Sequence, residues 1–137
     1  MYKRQTLDRL AQEGCTYVVD WDSDDQPLLM DIDGLPMVSL PYGAGVSDKQ
    51  AFETMHFTAD EFETMTRRAF DVLYEEGLRS GRVVAISLHP YIIGVPHRIG
   101  ALDRALAHIC AHDGVWLATG SEIASHFLAQ RGLSASR

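Results

Sequence analysis

Cysteine is scarce in this sequence: Cys15 and Cys110 stand far apart, outside any metal-type spacing. That excludes a Cys-x-x-Cys redox or zinc motif, and two free, buried thiols in a reducing, cytoplasmic setting are expected. No apolar segment approaches the ~20 residues of a membrane helix, and nothing at the start reads as a signal peptide. Basic residues are few. Lys and Arg number 12 against 19 Asp and Glu, a formal net charge of -7. A chain this acidic offers no basic face to nucleic acid or an anionic membrane, so neither is expected as a partner. A small-molecule or saccharide substrate stays open. There is no Gly-rich phosphate loop, nucleophile elbow, internal repeat or linker.

The 137 residues are 46% hydrophobic and 23% charged, the profile of one soluble globular domain. Residues 6–130 are expected to form it, with tails at 1–5 and 131–137. Thr6 can cap a short helix carrying Leu7, Leu10 and Ala11, which Gly14 ends. Cys15 to Val19 reads as a buried strand. Leu28 to Met30 is a short extended piece, Asp33-Gly34 a hairpin signal and Pro36 to Leu40 a further strand, broken by Pro41, Gly43 and Gly45. Tyr42 to His56 reads as a long loop, with or without a short helix. Thr58 and Glu61 form a capping box for a helix to Gly77 with Phe62, Met65, Ala69, Phe70 and Leu73 on one face. A second helix starts near Arg98 with Ile99, Leu102, Leu106 and Ile109 in register, and ends near His112 to Gly114. Val115 to Ala118 reads as a short buried strand. A second capping box, Thr119 with Glu122, opens the last helix through Ile123, Phe127 and Leu128. Helix and strand alternate, which predicts an α/β fold with parallel strands joined by helical crossovers. About four strands are too few to close a barrel.

The richest stretch runs from Arg82 to Arg98. Val83 to Ile86 and then Leu88 read as a strand covered on both faces that delivers His89 where Pro90 stops the run. Tyr91 to His97 should then be a shaped loop beyond the strand's carboxyl end, where ligands bind in α/β folds. Histidine is the side chain suited to pass a proton to a leaving group near neutral pH, which makes His89 a candidate; the plainer reading is a loop histidine bonded to backbone. Asp20-Trp21, also at a strand end, is open in the same way. The carboxylate can orient a catalytic His or Arg and the indole can wall a pocket, or the pair is a cap beside a half-buried Trp. Asp22, Asp24 and Asp25 lack the Gly and distal Glu of a calcium loop and read as a solvated turn. His108 and His112 have the i, i+4 spacing of a metal clamp, but they fall off the Ile99, Leu102, Leu106 face and are expected to point to solvent near a helix C-terminus. His56, His97 and His126 have no constellation around them.

The pieces Tyr17-Val-Val-Asp-Trp21, Asp24-Asp-Gln-Pro27, Ser39-Leu-Pro-Tyr42 and above all Ser87-Leu-His-Pro-Tyr-Ile-Ile-Gly-Val-Pro-His-Arg98 resemble the C-terminal half of the polysaccharide deacetylase (NodB homology) family. The nearest branch holds cofactor-independent allantoinases and peptidoglycan deacetylase-like proteins; His112-Asp-Gly-Val-Trp116 and Ala118-Thr-Gly-Ser-Glu-Ile123 resemble its closing strand and helix. The resemblance implies the C-terminal part of a distorted, TIM-like (β/α) barrel that hydrolyses a non-peptide C–N bond. Its substrates are N-acetyl sugars of chitin or peptidoglycan, or the ureide ring of allantoin. It further implies that His89 is the general acid, flanked by Leu88 and Pro90, and that Asp20 and Trp21 position and line the site.

The family's Asp-Asp, His-x-x-x-His and arginine motifs should precede Thr6 and are absent. Ser87, two residues before His89, stands where the commoner pattern has Leu, which suits the allantoinase-like branch. The resemblance therefore implies an N-terminally truncated enzyme, inactive alone, with no metal ligand in this chain; homo-oligomeric assembly belongs to the full-length form, as does zinc or a similar divalent metal where the parent enzyme uses one, a point the sequence leaves open. An alternative is a small non-catalytic binding or regulatory domain derived from the same half-barrel. An unpaired apolar edge at the strand over Cys15 to Val19, or at its neighbour, would favour the enzyme part.

Overall fold

A computed structural model describes residues 4–21, 23–42 and 45–133. Asp22 and Gly43, singled out above, and most of the two tails lie outside the described residues. In chain order the elements are α1 (Arg4–Gln12), β1 (Tyr17–Val18), β2 (Leu28–Ile32), β3 (Leu35–Ser39), β4 (Val46–Ser47), a π-helical turn (Gln50–Thr54), α2 (Ala59–Gly77), β5 (Ile86–Ser87), α3 (Pro90–Ile93), α4 (Ile99–Cys110) and α5 (Gly120–Ala129). They fall into two compact units: one runs to Pro41 and resumes at Leu117, and the other spans Tyr42–Trp116.

The first unit is built on β3, which pairs parallel with β1 and antiparallel with β2. The hairpin between β2 and β3 closes through Asp33 and Gly34, both at positive φ (51° and 84°), the two-residue turn whose twist matches the strands. Side chains alternate across the sheet with period two. Val18 and Met37 pack with Leu7 and Ala11 of α1, whereas Val38 and Leu40 pack with Ala124, Phe127 and Leu128 of α5. Thr6 lies inside α1 rather than capping it. The Thr119 capping box opens α5 as expected, and at its first residue a Cβ on Gly120 would come within 2.8 Å of the Tyr17 ring.

The second unit holds the parallel pair β4 and β5, with Val46 opposite Ile86. Val46, Phe52, Phe62, Ile92, Ile93 and Leu102 form its core. The Thr58 capping box starts α2. Glu63 joins α2 to α4: its carboxylate accepts from Arg104 Nε at 2.7 Å and Arg67 Nη1 at 3.3 Å. Burial pushes its pKa up, but the hydrogen bonds and charges of Arg104 and Arg67 outweigh that and hold it below the ordinary value.

Several expectations are corrected. The strand over Val83 to Leu88 narrows to Ile86–Ser87, and the run from Val83 to Ser87 is half-buried rather than covered on both faces, because β5 has only β4 as a neighbour among the described residues. No strand forms over Val115 to Ala118, where Leu117 is 71% exposed. Residues 90–93 form a helical turn instead of open loop, since proline is as well suited to the first turn of a helix as to ending a strand. In α4 the buried residues are Ala101, Leu102, Ala105 and Ile109, while Ile99 and Leu106 are exposed; small alanines let α2 come close on that side. Both cysteines are free but exposed, not buried. His108 and His112 are half-buried against α2 rather than pointing to solvent.

Candidate active site

His89 stands just past β5 as the N-cap of α3, with an extended backbone (φ -118°, ψ 117°). Its carbonyl accepts from Ile92 N–H at 2.9 Å and Ile93 N–H at 3.1 Å, which ties it to the one-turn helix. The imidazole is held from below by Asp48, the residue just past β4, whose side chain is 0% exposed. The backbone N–H of His89 donates to Asp48 Oδ2 at 2.6 Å, and ring Nδ1 meets Oδ1 at 2.7 Å. A carboxylate can only accept, so the ring proton of this pair sits on Nδ1 and Nε2 is the nitrogen left for chemistry. The His89 side chain is 32% exposed, so the ring is reachable from solvent while its anchor is not.

Around this pair the walls are aromatic and apolar. Tyr91 lies edge-on to the imidazole, 5.6 Å between ring centres. Tyr42 Oη and Ser87 Oγ are 3.4 Å apart, and Leu88 and Pro90 are both exposed beside His89. Arg98 anchors α3 from beneath, donating to the Ile92 carbonyl at 3.1 Å while its guanidinium lies 4.3 Å over the Phe52 ring. Gly94 closes α3: a Cβ there would fall 2.3 Å from the Pro90 carbonyl oxygen.

Asp20 and Trp21 belong to the first unit and both are exposed. Their backbone is fastened to β3, since Ser39 Oγ donates to the Trp21 carbonyl at 2.9 Å. The carboxylate on His89 is thus Asp48, which the sequence reading passed over inside a stretch taken as loop. No local signal reaches it, because β4 is only Val46–Ser47 and Asp48 meets His89 through the pairing of β4 with β5.

Among the described residues, one group of three side chains has the composition of a metal site: Asp71, His108 and His112. It lies at the C-terminal end of α4. His108 is nine residues past Ile99, about 14 Å of helix from the end that follows α3 and His89. A hydrolytic metal at His89 does not fit these residues, so no step of the chemistry is drawn through them.

No family model matches the chain. A Schizosaccharomyces pombe protein assigned as a polysaccharide deacetylase is 38% identical over 96 residues, 69% of this chain and 30% of the relative. An assigned polysaccharide deacetylase from Pseudomonas aeruginosa PAO1 superposes with a TM-score of 0.84 at 30% identity, over 95% of this chain and 45% of that one. The allantoinase PuuE superposes with a TM-score of 0.85 at 30% identity, over 95% and 44%. This chain has part of the polysaccharide deacetylase fold. It spans less than half the length of each of these relatives. The resemblance read from the residues and the α/β fold class are both borne out. Polysaccharide deacetylases and allantoinase are enzymes; in this chain the Asp48–His89 pair sits just past β4 and β5.

Proposed function

We propose that this chain is the proton-donating part of a hydrolase acting on non-peptide C–N bonds, of the polysaccharide deacetylase and allantoinase type. The observation that carries the reading is the fully buried Asp48 carboxylate gripping both the backbone N–H and Nδ1 of a solvent-reachable histidine. That grip fixes the ring's orientation and sets the carboxylate against Nδ1–H; once Nε2 has taken up a second proton, the carboxylate balances the imidazolium and Nε2 gives that proton to the departing nitrogen as the C–N bond breaks. Leu88, Pro90 and Tyr91 would pack around the scissile group. Activation of the attacking water, and any divalent metal this takes, is assigned to groups outside this chain. The substrate is an N-acetylated sugar or a small ureide.

Two features favour part of a barrel over a self-sufficient binding domain. Among the described residues, β1 and β5 each have a strand neighbour on one side only. The apolar run Val83–Ala85 beside β5 is left half-exposed. The test fuses this chain to the complementary portion of an allantoinase or a deacetylase and assays allantoin and N-acetylated chito-oligosaccharides. His89→Ala should lower turnover by about a hundredfold or more, the scale of general acid contributions. Unchanged turnover in that variant removes His89 from the mechanism. The unfused chain should hydrolyse neither substrate; robust activity from it would sink the partial-enzyme reading.

A further inference from the structure

Away from His89, α2 and α4 bring three metal-ligating side chains together. Asp71 of α2, and His108 and His112 of and just beyond α4, each offer a ligand atom, all within 4.8 Å of one another. Asp71 Oδ1 and His108 Nε2 already touch at 2.6 Å. His112 Nδ1 is 2.8 Å from the His108 carbonyl oxygen, so that nitrogen carries the proton and donates it, and the lone pair at Nε2 is left for a ligand. Both imidazoles are steadied by aromatic edges. Phe70 lies T-shaped to His108 at 5.8 Å and to His112 at 4.9 Å, and Tyr74 to His112 at 4.8 Å. Tyr74 is itself tied down, its hydroxyl donating to the Asp113 carbonyl at 2.9 Å.

We propose that Asp71, His108 and His112 form a binding site for a dication of the zinc class that staples α2 to α4. Two imidazoles and one carboxylate, with solvent in the remaining position, are a donor set zinc accepts, and the i, i+4 spacing puts both histidines on one side of the chain. Tetrahedral ligands at the usual bond lengths stand about 3.3 Å apart. To reach that spacing Asp71 and His108, now 2.6 Å apart, would part slightly, and His112 would close in from within 4.8 Å. Asp71 is half-exposed and free to make this adjustment. To bind a metal His108 presents the Nε2 lone pair, so its ring proton sits on Nδ1 in the loaded site and the metal takes the place of the hydrogen bond to Asp71. The competing description is an ion pair between Asp71 and His108 with His112 as a bystander.

The test uses the whole chain, stripped with a chelator and titrated with zinc chloride by calorimetry. Cobalt(II) serves as a second probe, because its visible absorption intensifies in a four-coordinate site. Expected are one saturable equivalent, a rise in the thermal midpoint with zinc, and intense cobalt bands. Affinity should fall at least tenfold in both His112→Gln and Asp71→Asn. Asp71→Asn replaces a half-exposed side chain by its isostere, so it reports on the site even if His112→Gln folds poorly. No saturable binding overturns the proposal, as does binding that survives both variants or is lost in Cys110→Ser instead.

Discussion

Asp48 and His89, 41 residues apart in the chain, meet through both oxygens of one carboxylate, Oδ2 on the backbone N–H and Oδ1 on ring Nδ1. Asp48→Asn should therefore invert the imidazole. An amide NH2 group must face either the backbone N–H or Nδ1, and the arrangement that avoids two opposed donors places the proton on Nε2. In the unfused chain, nitrogen-15 shifts of the His89 ring read this directly, with Nδ1 protonated in the native protein and Nε2 in the variant. In the active fusion the same variant should lose at least tenfold in turnover. Asp48→Ala leaves a buried N–H unsatisfied and should also cost about 1–3 kcal/mol of stability. A ring tautomer unchanged in Asp48→Asn would mean that Asp48 does not position His89.

Gly94→Ala should destabilise the second unit by about 1–3 kcal/mol, because its Cβ would collide with a backbone oxygen that has no rotamer to move into. The denaturant midpoint should fall with little change in slope. A midpoint equal to that of the native chain would show that the turn after α3 opens at no cost.

Acid should loosen α2 and α5 together. Glu61 is held below its ordinary pKa by the Thr58 backbone N–H and then the Thr58 hydroxyl, and Glu122 by the same two groups of Thr119. A carboxylate depressed in the folded state contributes its full stability above its ordinary value and loses it as pH falls through the lowered one. Helicity and thermal midpoint should therefore decline as pH drops below about 4.5, the ordinary glutamate value. The double variant Glu61→Gln, Glu122→Gln should show a shallower decline. An equal slope in the two proteins would place the acid sensitivity elsewhere.

What could be read from the sequence was what is signalled within a few residues. Both capping boxes and the Asp33-Gly34 hairpin lie in windows of four residues or fewer, and each appears where its residues place it. β4 could not be read in this way: two residues carry no periodicity, and a π-helical turn follows almost at once. Asp48 was lost with it. Around His89 the histidine itself was legible, but its partner is set by the parallel pairing of β4 with β5, a tertiary event. The α4 face was misjudged for a related reason. Ile99 and Leu106 are the larger apolar side chains, yet Ala101 and Ala105 are the buried ones, and close helix packing selects for smallness that a hydrophobicity pattern undervalues. That same closeness turned His108 and His112 toward Asp71 and Phe70.

The exposure of both cysteines makes each chain a two-handled molecule, with Cys15 in one unit and Cys110 in the other. A protein with one accessible thiol stops at a covalent dimer when air oxidises it. One with two such thiols behaves like a bifunctional monomer in step-growth polymerisation, each new disulfide leaving a reactive end on either side. Covalent chains then lengthen with time and concentration. Reductant is consequently a condition of every solution measurement on this protein, the metal titration included, where it must be one that does not itself bind zinc.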